Sequence, residues 1–259
     1  MKPAIAVHKF ASCSGCQLAF INMGEDLLIL KELVDIVHFP EAGPLGAEVP
    51  VDIAFIEGSV VSPEDVERLQ TIRELSEYLV TVGACATSGG IQALKNNADS
   101  DAWMKSVYAK PEYIKSLSTS AAISRHVKVD FELWGCPVNV RQMTQVIRQL
   151  LNGVQPIDVN EKVCAECKRQ NNVCVLVSKG EPCMGPVTRT GCGALCPHFG
   201  TACYSCYGPA ESINTQSLGQ RFLGLGLHPV DIAQKFHMIN NAADEFREAG
   251  HSWAAMKED

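Results

Sequence analysis

The chain has 259 residues, 46% of them hydrophobic and 20% charged, an ordinary globular composition with room for one large domain or a medium one plus a small one. Its formal net charge of −7 argues against a nucleic-acid partner, which rewards a basic face. No run of 18 apolar residues exists, so no membrane span is expected.

The first residues, "MKPAIAVHKFASCSGC", hold an apolar stretch too short for a signal peptide, which reads instead as a first strand. A cytoplasmic protein is therefore expected. "QLAFINMGEDLLILKELV" has apolar residues at helical spacing. "VDIVHF" and "VDIAFIEG" are short apolar runs rich in β-branched residues and read as buried strands. "SPEDVERLQTIRELSEY" opens with Ser62 as N-cap, Pro63 at the first helical position and acids in the first turn. "LVTVGAC" and "VDFELWGC" read as two further strands, and "NVRQMTQVIRQLLNG" as a helix ending at Gly153. This alternation predicts an α/β fold with a parallel, doubly wound sheet.

Residues 96–126 break the rhythm and read as a surface excursion with short helices. They are either a variable loop or a partner contact, since Trp103, Tyr108 and Tyr113 are anchor types at interfaces. After Pro156 the composition shifts. Residues 160–210 are dense in Cys, Gly and Pro, with one strand-like fragment, "VCVLVSKG", and cannot build an apolar core alone. From Pro229, "PVDIAQKFHMINNAADEFREAG" reads as one amphipathic helix that packs back on the body.

Twelve cysteines call for an explanation. A reducing cytosol and a chain of this length argue against a disulfide framework, which leaves metal as the better use. Cys13 and Cys16 follow the first strand, Cys85 a central strand and Cys136 the last. In an open parallel sheet such positions meet at the carboxyl edge. Gly15, Gly83 and Gly135 beside them allow close backbone approach. Four such thiolates hold zinc or a [4Fe–4S] cluster. Two other readings stand: a thioredoxin-like redox pair at Cys13 and Cys16, and core thiols at Cys85 and Cys136. Against the redox pair, no cis-proline context is evident and ten cysteines are left over. The other eight run C-x2-C-x6-C-x8-C (Cys164, Cys167, Cys174, Cys183) and C-x3-C-x6-C-x2-C (Cys192, Cys196, Cys203, Cys206). Zinc ribbons also use CxxC pairs, so spacing alone leaves a zinc-bound scaffold beside iron–sulfur clusters, and leaves the division among clusters open.

The motifs "SCSGCQ" (12–17), "IEG" (56–58), "GACATSGG" (83–90), "GCP" (135–137), "PCMGPVTRTGC" (182–192) and "CPHFGTACYSCYGP" (196–209) together resemble the small, electron-transferring subunit of [NiFe] hydrogenases over nearly the whole chain. The resemblance implies a flavodoxin-like domain over residues 1–155, with Cys13, Cys16, Cys85 and Cys136 on a proximal [4Fe–4S] cluster. It implies a cysteine-rich, mostly irregular domain over 156–259 ending in a helix and carrying two more clusters. Matching order and spacing gives Cys164, Cys167, Cys174 and Cys183 to the distal cluster, and Cys192, Cys196, Cys203 and Cys206 to the medial one.

Three departures from the family pattern point to its cytosolic, multimeric members, and among them to the delta subunits of NAD(P)-linked sulfhydrogenases. No twin-arginine leader is present, Cys164 stands where a histidine ligand is usual, and Cys196 supplies a fourth medial ligand. The resemblance implies a relay without the nickel site, docked to a large subunit and to a flavin- and iron–sulfur-bearing acceptor subunit. The acceptor itself stays open among NADP, NAD, deazaflavin, disulfide reductase and polysulfide. A complex I-like cluster subunit is a neighbouring reading, disfavoured by the "CSGC" spacing and the eight further cysteines. Leu18 stands where relatives often have a glutamate, which puts a proton role there in doubt. His198, between two ligand cysteines, is expected off the metal. Glu57 ends a buried strand and is expected at the same edge as Cys13, Cys85 and Cys136, either ordering the loop or taking a proton or docking role.

Overall fold

The computed structural model describes residues 2–43, 45–46 and 48–256. The chain divides into two compact units, Met1–Pro156 and Ile157–Asp259.

The first unit is a five-stranded sheet in the order β2-β1-β3-β4-β5, every neighbouring pair parallel. The strands are β1 (Ala4–Lys9), β2 (Asp35–His38), β3 (Val51–Glu57), β4 (Ser76–Val82) and β5 (Phe131–Leu133). This is the flavodoxin-like order. Alternation along β3 feeds both faces. Ile53 and Phe55 join Phe20, Phe39, Val80, Met143 and Ile147 on one side, while Ala54 and Ile56 join Leu69, Ile72, Leu79 and Ile123 on the other. Buried on both faces, these strands need unbroken apolar runs, which is why they are recognisable in the sequence.

Helices cover the two faces. The helical stretch at 17–34 is two helices, α1 (Gly15–Ile21) and α2 (Glu25–Leu33), parted where Gly24 takes φ +61°. Helix α3 (Pro63–Glu74) starts with a capping box: Ser62 Oγ accepts from the Asp65 N–H and Asp65 accepts from the Ser62 N–H. It stops short of Tyr78, because Ser76 onward pairs with Val51 onward as strand. After β4 come α4 (Gly83–Ser88) and α5 (Ser100–Val107). The excursion at 96–126 returns to the body through Ile123, which is fully buried, while Trp103, Tyr108 and Tyr113 are exposed. Asn139 caps α6 (Val140–Leu151) with a side-chain bond to the Arg141 N–H.

The second unit is built in two parts. Residues 163–210 hold only short helices: α7 (Val163–Arg169), α8 (Val175–Ser178) and α9 (Leu195–His198). "VCVLVSKG", expected as strand-like, instead turns into α8. Val173 and Val177 are exposed and only Val175 is buried there, so the segment lacks the inward-facing residues a strand would bury. Cross-bonds tie the turns together: Val163 N–H to Thr188 O, Thr190 N–H to Glu161 O, and Arg189 N–H to Gly208 O. The apolar core lies in α10 (Thr215–Leu223), α11 (Pro229–Phe236) and α12 (Asp244–Ala254), where Phe222, Phe236, Phe246 and Trp253 are buried. The single helix expected from Pro229 is therefore two, folded back on each other so that Phe236 and Phe246 lie 5.9 Å apart. The break carries fully buried Asn240, whose amide donates to Ser205 O, a polar anchor that a continuous helix would not provide. No described helix is long and apolar enough to cross a membrane.

Candidate metal centres

In the first unit, Cys13 lies in the loop after β1 and Cys16 in the first turn of α1. Cys85 lies in α4 after β4, and Cys136 in the loop after β5. All three connections, after β1, β4 and β5, leave the carboxyl edge of the sheet, and β1 and β3 flank its topological switch point. The thiols are electrostatic neighbours: Cys16 feels Cys85 and Cys136, and Cys85 feels Cys136 and Cys13. Burial pushes all the shifted thiols upward, Cys85 to about 11 and Cys16 further still. Four thiolates cannot share this place unless positive charge sits among them.

Glycines open the space. Gly83, at φ +86°, lies so close that a Cβ would run into Cys16 Sγ. A Cβ on Gly90 would come to 2.7 Å from Cys85 Sγ, and one on Gly15 to 3.2 Å from Cys13 Sγ. The Cys136–Pro137 peptide, after β5, is cis.

Glu57 is 2% exposed and tied twice. One oxygen accepts from the Cys16 N–H at 2.9 Å, the other from Gln17 Nε2 at 2.9 Å. It fixes the turn that presents Cys16, which is the loop-ordering role. Leu18, on the other side of that turn, is half exposed.

In the second unit, Cys164 and Cys167 lie on α7, Cys174 precedes α8, and Cys183 precedes a turn at Gly185–Val187. Cys164 feels Cys183, Cys167 and Cys174, and burial pushes it to about 11. A Cβ on Gly185 would lie 3.5 Å from Cys183 Sγ and 3.6 Å from Cys164 Sγ. Cys192 feels Cys196, and Cys203 feels Cys206. The two groups also touch: the Cys203 N–H donates to Cys183 Sγ at 3.2 Å, and Cys167 feels Cys192. His198 Nδ1 lies 3.3 Å from Asn172 Oδ1 on the exposed surface.

Sequence reasoning passed over Glu166, visible only as a filler of "CAEC". Its carboxylate accepts from the Gly191 and Ala194 N–H groups, both at 3.0 Å. Among the described residues no three His, Cys, Asp or Glu side chains are gathered tightly enough for a single metal ion.

The donor set is all thiol, the thiols are coupled, and glycines clear the space beside them. That suits iron–sulfur ligation. Residues 13–150 match the family described as "NADH ubiquinone oxidoreductase, 20 Kd subunit". The chain belongs to that family. It is 34% identical over 214 residues to the "Sulfhydrogenase 2 subunit delta" of Pyrococcus furiosus, covering 83% of this chain and 90% of the relative. It is 27% identical to a subunit of the F420-non-reducing hydrogenase of Methanococcus voltae, covering 92% and 94%. Among solved structures, a chain of the "NAD+-reducing [NiFe]-hydrogenase in the H2-reduced state" is 30% identical, with a TM-score of 0.56 over 61% of this chain and 96% of that one. The relatives are thus hydrogenase subunits, as the motif resemblance implies. The family match covers most of the sheet unit, from the loop after β1 into α6, and leaves the eight cysteines of the second unit outside it.

Proposed function

We propose that this chain is the electron-relay small subunit of a multimeric, cytoplasmic [NiFe] hydrogenase. It holds three [4Fe–4S] clusters, through Cys13, Cys16, Cys85 and Cys136; through Cys164, Cys167, Cys174 and Cys183; and through Cys192, Cys196, Cys203 and Cys206. The observation that carries the reading is the coupling of the thiols: Cys13, Cys16, Cys85 and Cys136 at the carboxyl edge of the sheet, Cys164 with Cys167, Cys174 and Cys183, and the pairs Cys192–Cys196 and Cys203–Cys206. Bound clusters supply one-electron storage at successive points and, with every iron capped by thiolate, no open position for bond chemistry. The chain's own residues set the ligand positions. Glu57 and Gln17 hold the Cys16 turn, Gly83 and Gly90 leave room beside the sulfurs, and the Cys203 amide bridges the two groups of the second unit. The first group faces the large subunit that holds nickel. The group around Cys164–Cys183 faces a flavin- and NAD(P)-linked acceptor subunit. The domains fall at 1–155 and 156–259.

Metal analysis of the anaerobically purified complex tests this. About twelve irons per chain are expected, four for each of three clusters. Zinc instead of iron would return the scaffold reading, and about four irons would return the single-cluster, complex I-like one.

A further inference from the structure

Glu166 lies on α7 between Cys164 and Cys167, yet its carboxylate is spent on a different segment. It accepts from the Gly191 N–H at 3.0 Å and the Ala194 N–H at 3.0 Å, and Cys192 Sγ lies 3.9 Å away. Three features make this more than a surface contact. The side chain is half-buried, so its charge is screened less than a surface carboxylate's. Its two bonds cross-link the helix bearing one pair of thiols to the loop bearing Cys192. The Gly191 N–H goes to Glu166, and the Ala194 N–H is shared between Glu166 and the Cys192 sulfur; N–H groups aimed at sulfur are a main lever on a cluster's potential. Glu57 does the parallel thing in the first unit, taking the Cys16 N–H. There, however, it engages one ligand's own amide; Glu166 takes two amides on either side of a ligand and sets a negative charge beside its sulfur.

Resting on the three-cluster reading, we propose that Glu166 is a positioning residue for the group held by Cys192, Cys196, Cys203 and Cys206. It braces the 191–194 loop against α7 and holds that cluster at a more negative potential than its thiolates alone would set. A carboxylate near the cluster disfavours the added electron, and by drawing on the Gly191 and Ala194 amides it weakens donors that would favour it. The geometry also makes Glu166 a link between the two cysteine groups of the second unit.

The experiment uses the intact complex, purified without oxygen, with iron analysis and EPR-monitored redox titration of all clusters. Glu166→Gln keeps one of the two accepting oxygens, sets its NH2 against the other amide, and removes the charge. Full iron is expected, with one cluster's midpoint moved to a less negative value and the other two unmoved. Glu166→Ala removes the brace and is expected to lose one cluster's worth of iron. Glu161→Gln, at an exposed ion pair with Arg169 in the same unit, is the charge control and should move no midpoint. The proposal is overturned if Glu166→Gln leaves every midpoint in place, if it loses a cluster despite the retained acceptor, or if Glu166→Ala keeps full iron. A wild-type complex holding zinc would instead sink the three-cluster reading, so the two failures are distinguishable.

Discussion

Cys16 and Cys203 are both buried, but by different means. Cys16 sits in the first turn of α1 within an apolar cluster that includes Val7, Phe20, Phe55 and Val82. That cluster exists because β1, β3 and β4 exist, and they are held by their own ladder and apolar faces. Cys203 lies in a run of turns. Its amide donates to Cys183 Sγ, and its sulfur lies 3.6 Å from Thr188 Oγ1. On the proposed reading, the first group of thiols rides on a scaffold that stands without it, and the others form part of what their scaffold needs. A segment that cannot cover itself with apolar side chains draws on metal-binding free energy to fold.

The largest expected effect follows directly. Stripping iron from the anaerobic complex with a chelator should abolish amide-exchange protection across residues 163–206 while β1, β3 and β4 stay protected. Exchange followed by mass spectrometry reads this by segment. Equal loss in both units would end the distinction.

Next in size is the functional difference between the units. Cys13→Ala should abolish hydrogen-driven reduction of every acceptor. Cys167→Ala should damage chiefly transfer to the physiological acceptor and leave hydrogen–deuterium exchange at the large subunit's site largely intact. If Cys167→Ala in an assembled complex removes that exchange, the direction of the relay is reversed or the groups are misassigned.

The same contrast explains what the sequence discloses. Strands β1, β3 and β4 announce themselves because a strand buried on both faces must be a continuous apolar run, and Ser62-Pro63 announces α3 because a cap needs those residue types. The positions of Cys13, Cys85 and Cys136 then follow from topology. The second unit offers no such periodicity. "VCVLVSKG" has strand composition but turns into a helix, since composition does not say whether a neighbour is there to pair with. The helix break at Asn240 was hidden because the stretch from Pro229 keeps helical apolar spacing on both sides of it. Glu166 was hidden because its partners, Gly191 and Ala194, are 25 and 28 residues away along irregular backbone. What carried the second unit was cysteine spacing and the family resemblance, neither of which is a packing argument.

Glycine substitutions sharpen the comparison at a smaller scale. Gly83→Ala places a Cβ against Cys16 Sγ at a positive φ, where a rigid sheet edge cannot give way. A loss of about 3 kcal/mol is expected from strain and overpacking together. Gly185→Ala meets Cys183 Sγ at 3.5 Å, an ordinary contact, and should cost less than about 1 kcal/mol. Denaturant midpoints of the iron-loaded complexes check both. Equal costs would mean that the sheet edge yields as readily as the turns.

The last effect is one that the first unit owes to its own packing rather than to metal. His8, on β1, is 4% exposed and stacks on His38 at 4.8 Å. Burial, then the nearby charges of His38 and Arg68, hold its pKa down at about 3. The unfolded chain protonates it near 6.5, so between those values the unfolded state binds the extra proton. This part of the stability is full above pH 6.5 and is lost progressively as pH falls toward 3. At pH 5.5, one unit below the unfolded value, the loss is about 1.4 kcal/mol. His8→Gln keeps a polar side chain and removes the titration. Anaerobic denaturation at pH 7.5 and 5.5 should therefore show a smaller acid loss in the variant, confined to probes of the sheet unit. An identical acid loss in variant and wild type would place the pH sensitivity elsewhere, with the thiol groups of the second unit the next to test.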